Sequence, residues 1–125
     1  MADERPKVAF IDDSKTVRLV LAGLLEQAGC EPVECTSWTE LNATAESHEL
    51  DLVLLDVQMP KVSGPPMAIV LKKTRPHLKV VYHSDQDERF LGELVQKTGA
   101  DGYIKKSVDS AETLSAIRKY LPTSP

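Results

Sequence analysis

The sequence predicts a doubly wound α/β fold, a (βα)5 chain forming a five-stranded parallel sheet with helices on both faces. Two observations carry the prediction. Short apolar runs and stretches of helical periodicity alternate five times along the chain, the pattern of a parallel sheet wrapped by crossover helices. The strand candidates are continuous apolar runs, as expected of strands buried on both faces. A length of 125 residues suits one domain with a single sheet.

The elements follow in order. "KVAFID", residues 7–12, is an apolar run ending in acid and reads as the first strand. In residues 14–29, Val17, Leu21, Leu24, Leu25 and Ala28 recur at helical spacing, with Ser14 to cap the start and Gly29 to stop the end. Residues 31–36 read as a second strand and 37–48 as a second helix. "LDLVLLD", residues 50–56, is the clearest strand. The loop "VQMPKVSGPP" follows, in which Gly64 and Pro65 precede prolines and are expected to be extended, so the third helix starts at Pro66 and runs to about Lys73. Residues 78–84 form the fourth strand. The fourth helix, within 85–100, carries Leu91, Leu94, Val95 and Thr98 on one face. Residues 102–106 form the fifth strand. The fifth helix, 109–121, carries Leu114, Ile117 and Leu121 on one face. Crossovers are expected to be right-handed. The domain is placed at residues 1–121, with 122–125 as a tail or the start of a linker.

Composition excludes several classes. The net charge of -4 gives no basic field for nucleic acid. No apolar run approaches the ~18 residues of a membrane span, and the charged start "MADERPK" has no apolar leader segment. The chain is therefore expected to be cytoplasmic, binding neither nucleic acid nor membrane. Cys30 and Cys35 are its only cysteines, expected to be reduced because no signal segment precedes them, and no further Cys or nearby His completes a zinc set.

The chemistry is read from the strand ends, where sites form in open α/β sheets. Strand one ends at Asp12 and Asp13, strand three at Asp56, strand four at Ser84 and strand five near Lys106. Clustered carboxylates repel and raise one another's pKa. A hard divalent cation relieves the repulsion, and Mg²⁺ suits a site of few carboxylates plus a phosphate. Lys106 is a point charge suited to phosphate oxygens, and Ser84 can donate one hydrogen bond to another. Asp56 is the natural nucleophile, since carboxylates form aspartyl phosphates. No Gly-rich G-x-x-x-x-G-K loop is present, so nucleotide binding is not implied.

Over nearly its whole length the chain resembles the receiver domains of bacterial two-component response regulators. The residues carrying the resemblance are the acidic pair Asp12–Asp13, the run D-x-x-M-P-x-x-x-G from Asp56 to Gly64, Ser84 at the end of strand four, and Tyr103 three residues before Lys106. The resemblance implies a flavodoxin-like order of the sheet. It implies that a histidine kinase or histidine phosphotransfer protein donates a phosphoryl group to Asp56, with Mg²⁺ held by Asp12, Asp13, Asp56 and the backbone carbonyl of Gln58. It implies that Ser84 then follows the phosphate, that Tyr103 changes rotamer, and that the surface of helix four, strand five and helix five carries the signal to a downstream partner or output domain. That surface is also where a homodimer would form. The domain would be no enzyme beyond assisting its own phosphorylation and dephosphorylation.

Several residues depart from the family pattern. Ser107 replaces the Pro that usually follows the lysine, predicting either a trans bond with a shifted loop or a retained cis bond. Asp85 stands where the family prefers a small residue; it is expected to point to solvent, as a cap of helix four, rather than repel a phosphate. Ser63 stands where the family often has Asp. His83 interrupts an apolar strand and is expected to be a satisfied core histidine rather than a pH sensor or phosphate acceptor. Trp38 is expected to pack partially. Lys105 alternates with Lys106 and is expected to face the other way, solvated. Gln58 and Gln86 flank the site where water access is set in the family. The departures Asp85 and Ser107 keep open a module that binds partners without phosphorylation. An aspartyl phosphatase is disfavoured because Gln58 occupies the place of its second acid.

Overall fold

The computed structural model describes residues 5–47, 49–59 and 64–122. Five strands alternate with five helices: β1 (Lys7–Ile11), α1 (Lys15–Gln27), β2 (Glu31–Cys35), α2 (Trp38–Ser47), β3 (Leu52–Leu55), α3 (Gly64–Thr74), β4 (Lys79–Ser84), α4 (Glu88–Thr98), β5 (Gly102–Lys105) and α5 (Ser110–Arg118). The sheet order is β2-β1-β3-β4-β5, and every pairing is parallel. The order doubles back at β1, so β1 and β3 lie side by side at the switch point where α/β sheets form their sites.

Alternation along the central strands splits the core in two. Val8, Phe10, Leu52, Leu54, Val81 and Ile104 face α1 and α5, packing on Leu21, Leu25 and Ile117. Ala9, Ile11, Val53, Leu55, Val80 and Tyr82 face the other helices, packing on Leu41, Leu71 and Leu91. All four residues of β3 are essentially without solvent contact. Cys30 and Cys35 are free, buried and in opposite halves of this core, so the sheet itself separates the two thiols.

The helix ends follow local chemistry. Ser14 Oγ accepts the N–H of Val17 at 3.2 Å and opens α1, and Gly29, with φ +81°, turns the chain after it. Asp87, not Asp85, caps α4 by accepting the N–H groups of Arg89 and Phe90; Asp85 is exposed as expected, but the capping geometry belongs to the residue just before the helix. On the core face of α4, Thr98 Oγ1 accepts the Tyr82 hydroxyl at 2.7 Å and satisfies the one polar atom of a fully buried ring. Asp109 caps α5, which ends at Arg118 rather than 121.

The third helix begins at Gly64, two residues before the expected Pro66. Pro65 and Pro66 therefore occupy the first turn, where N–H groups have no helical partner and a missing one does no harm. Gly64 and Pro65 are thus helical rather than extended: glycine has no Cβ to collide with the following proline ring, which weakens the rule at Gly64, whereas Pro65 departs from it. Gly64 has its own constraint: its N–H donates to the Val57 carbonyl at 3.3 Å, and a Cβ on it would collide with the Asp56 carbonyl oxygen. The expected helix end at His48, the loop positions Pro60 and Ser63, and the tail from residue 123 lie outside the described residues.

Two glycines should consequently behave in opposite ways. Gly64→Ala must displace backbone at Asp56 and is expected to destabilise the fold by about 1–3 kcal/mol. Gly92→Ala, inside α4 with open space around its Cβ position, is expected to stabilise by about 0.5–1 kcal/mol. Urea unfolding of the two variants beside the parent checks both signs.

Candidate functional site

The β-strands deliver the acids. The N–H of Asp56 donates to the carbonyl of Ile11, the last residue of β1, at 3.1 Å, which extends the β1·β3 ladder one step past β3 and brings Asp56 toward Asp12. Asp12 is fixed from two sides. Its Oδ1 accepts the Ser14 N–H at 2.9 Å, and its carbonyl oxygen accepts from Arg18 of α1 at 2.7 Å. Arg18 is itself braced on Glu34 of β2, 2.5 Å away. Asp13 is exposed at the rim. The carboxylates of Asp12, Asp13 and Asp56 each place an oxygen so that all lie within 4.8 Å of one another.

Asp12 and Asp56 are 2% and 6% exposed, so their charges are removed from water while close together. The Lys106 ammonium lies between them, 3.0 Å from Asp12 Oδ2 and 3.5 Å from Asp56 Oδ2. Its position follows from β5, because the Lys106 N–H donates to the Ser84 carbonyl at 2.8 Å and continues the β4·β5 ladder. One ammonium does not offset two buried carboxylates. Burial first, then the charge of Asp12, push the Asp56 pKa up to about 6, against the opposing pull of Lys106 and of the Gln58 N–H. The Lys106 pKa is itself raised: the hydrogen bond and charge of Asp12, with those of Asp56, outweigh the burial that would lower it. Asp12 Oδ2 is buried and meets the Lys106 ammonium at 3.0 Å. Three clustered carboxylates sharing one ammonium are the donor set of a hard divalent cation.

The remaining predicted residues make contacts of their own. Ser84 is buried, and its Oγ accepts the Gln86 N–H at 3.1 Å. The ring of Tyr103 packs against the core while its hydroxyl reaches outward to Glu88 at 3.2 Å. Gln58 is exposed and touches Asp56 through its N–H. The bond after Lys106 is trans, as is every described peptide bond, and Lys106 still reaches the acids. Ser107 accepts the Asp109 N–H at 3.0 Å and so leads into α5. Trp38 packs partially, as expected.

Two expectations are corrected. His83 is buried but not satisfied, since its Nδ1 has no hydrogen-bond partner. Burial and the nearby Lys106 charge push its pKa down to about 4, so it is neutral at physiological pH. Lys105 does face away from Lys106, yet it is not simply solvated: its ammonium donates to the carbonyls of Asp85 and Gln86 at 2.6 Å each. The bracing role of Arg18 leaves no mark in the sequence, whereas Gly64 is marked by the D-x-x-M-P-x-x-x-G run though its close approach to Asp56 is not. A lysine in a strand or an arginine on a helix carries no local sign that a backbone carbonyl lies within its reach.

Comparison with known proteins agrees with this geometry. The response regulator receiver domain family matches residues 8–118. The chain is a receiver domain of that family. Among relatives, it is 29% identical over 92% of its length to the CAI-1 autoinducer sensor kinase/phosphatase CqsS of Vibrio cholerae, but spans only 17% of that protein. It is 28% identical to protein PilG of Pseudomonas aeruginosa, covering 94% of this chain and 88% of the other. Among solved structures, the response regulator TrrA of Thermotoga maritima, determined in complex with Mg²⁺-BeF, superposes with a TM-score of 0.81 at 26% identity over 93% of this chain and 99% of that one. Receiver domains are signalling modules of two-component systems, and this one has an acidic cluster compatible with a metal. No described helix is long and apolar enough to cross a membrane.

The two perturbed buried groups act on stability in opposite senses. Asp56 has a raised folded-state pKa, so its favourable contribution is full below pH 3.8 and is lost as pH rises through about 6. His83 has a depressed one, so its contribution is full above 6.5 and is lost as pH falls through about 4. Asp56→Asn is therefore expected to be more stable than the parent at pH 7.5, by about 2–3 kcal/mol, with the gap closing between pH 6 and 4. In the same window the variant should lose stability that the parent keeps. Thermal melts from pH 4 to 7.5 check both trends, and Mg²⁺ should raise the parent's melting temperature at pH 7.5 more than the variant's.

Proposed function

We propose that Asp56 accepts a phosphoryl group from a phosphohistidine of a histidine kinase or histidine phosphotransfer protein. The observation carrying this reading is the buried Asp12–Lys106–Asp56 arrangement, in which a carboxylate with its pKa near 6 stands beside a fixed ammonium. At neutral pH that carboxylate is ionised and free to attack, and its desolvation leaves it little stabilised before reaction.

An Asp56 Oδ attacks phosphorus as the bond to the histidine nitrogen breaks, and that nitrogen leaves as neutral imidazole once it has a proton. Lys106, already in contact with Asp56, meets the charge on a phosphoryl oxygen. Ser84, at the neighbouring strand end, donates a hydrogen bond from its hydroxyl to another. Asp12, Asp13, Asp56 and the Gln58 backbone carbonyl would hold Mg²⁺, which supplies charge neutralisation between the carboxylates and the incoming phosphoryl group. Catalysis in such transfers is mostly positioning and electrostatics, and the ladder bonds at Asp56 and Lys106 supply the positioning. The domain then acts as a switch rather than a turnover enzyme. Ser84 moves toward the phosphate, Tyr103 leaves its outward position on Glu88, and the α4–β5–α5 surface presents the change to a downstream protein, an output domain or a second copy. The residues serve a cytoplasmic relay and no contact with nucleic acid or membrane. The assembly of Asp12, Asp13, Asp56 and Lys106 supports this reading over a module that works without phosphorylation.

Incubation with acetyl phosphate and Mg²⁺ is expected to add one phosphoryl group, seen as a single increment in intact mass. Asp56→Asn should show none. Lys106→Met should fold but label on the order of 100-fold more slowly, the usual loss for an electrostatic stabiliser of developing charge. Labelling of Asp56→Asn equal to the parent would overturn the assignment.

A further inference from the structure

The side chains of β5 alternate between two tasks. Ile104 enters the core toward α1 and α5, and Lys106, two residues on, reaches the acids. Tyr103 and Lys105 face the opposite way, toward the loop that joins β4 to α4. Lys105 lies opposite Ser84 in the strand register. Its ammonium donates to the carbonyl oxygens of Asp85 and Gln86, the two residues directly after Ser84, at 2.6 Å each. The Gln86 N–H in turn donates to Ser84 Oγ at 3.1 Å. Beyond that loop, the Tyr103 hydroxyl holds Glu88 at 3.2 Å.

These bonds form a chain from the ammonium to the switch hydroxyl. Lys105 fixes the carbonyl side of Gln86, and the N–H of the same residue holds the Ser84 oxygen against its own loop. Ser84 cannot carry its hydroxyl toward Asp56 without either giving up the Gln86 N–H or dragging the loop with it. The second route strips Lys105 of two charge-assisted hydrogen bonds, which are roughly twice as strong as neutral ones. Lys105 is exposed, so its ammonium would otherwise be hydrated, and its contribution exists only in the loop arrangement seen here. A contact specific to one of two arrangements shifts the balance between them.

We propose that Lys105 is a latch on the β4–α4 loop, a positioning residue that favours the unphosphorylated arrangement and so sets how readily a phosphoryl group on Asp56 moves Ser84. The inference rests on the phosphoacceptor reading above and adds a regulator to it that lies outside the reacting groups. It also accounts for a lysine at a strand position whose side chain packs nothing in the core.

The test is a titration of the full chain with beryllium fluoride in the presence of Mg²⁺, followed by the amide resonances of Ser84 and Gln86, for the parent, Lys105→Met and Lys105→Arg. Lys105→Met is expected to bind roughly fivefold tighter, at the low end of typical coupling between sites, and its unliganded Gln86 resonance should move toward the bound position. Lys105→Arg, whose guanidinium can still reach two carbonyls, should stay close to the parent. Unchanged or weaker binding by Lys105→Met, with the parent saturating, would overturn the latch and leave the phosphoacceptor reading intact; a lowered melting temperature accompanied by unchanged binding overturns it equally. A parent that does not respond to beryllium fluoride at all would instead overturn the phosphoacceptor reading, and the latch with it.

Discussion

The contact on which the rest depends is the Lys106 ammonium between Asp12 and Asp56. Two carboxylates brought to the edge of a dry sheet repel strongly, and water is too far away to screen them. Without a cation the pair would be held apart or protonated. Lys106 offsets part of that repulsion and leaves the rest, which is why Asp56 retains a pKa near 6. The residue is not a stabilised ion pair so much as a carboxylate kept short of partners. Three surrounding devices hold it that way. The β1·β3 ladder carries Asp56 to Asp12, the β4·β5 ladder carries Lys106 to both, and the Cβ-free Gly64 lets α3 press on the Asp56 carbonyl. Each is a backbone feature, so the Cα positions that carry the crowded charges are fixed by the sheet and by α3.

Most of the fold is legible in the sequence because its signals are local. Buried parallel strands leave runs such as Leu52–Leu55, and the helices leave apolar residues at every third or fourth place. The polar strand ends are legible for a related reason: a charge directly after an apolar run has few structural uses. The start of α3 is misplaced when a rule about residues before proline is applied to a glycine, which lacks the Cβ behind much of that clash. His83 is expected to be satisfied because buried polar groups nearly always are; its unpaired Nδ1 is visible only when the residues packed on it are known. Lys105 illustrates the same limit from the other side. Period-two alternation gives its direction correctly, but not that the direction ends on two loop carbonyls, since those belong to a segment well upstream in the chain.

His83 shows how the site tolerates a residue that the strand did not need. Its burial beside Lys106 forces it neutral, so it adds no charge to a cluster already poorly balanced. A protonated His83 would repel Lys106, the one cation holding the two acids together. The same low pKa that leaves it an unhelpful base therefore protects the arrangement above it. The depressed histidine and the elevated aspartate are two expressions of one condition, the removal of water from the carboxyl end of the sheet.

The short strand β5 connects this condition to the surface. Its residues and the lysine that follows place side chains alternately on the two faces of the sheet. One face, through Ile104 and Lys106, is committed to the core and the acids. The other, through Tyr103 and Lys105, holds the loop and helix that begin just after Ser84. Backbone atoms shared by both sets, above all the Lys106 N–H on the Ser84 carbonyl, make the strand a rigid bar rather than two independent contacts. Lys106 touches Asp56 directly, and Lys106 and Ser84 are joined at the ends of hydrogen-bonded strands. The segment between Ser84 and α4 is held by the part-buried Gln86 N–H on Ser84 Oγ and by the exposed contacts of Lys105 and Tyr103. The latter are exposed side-chain contacts, whereas the bonds that place Asp56 and Lys106 are backbone bonds of the sheet.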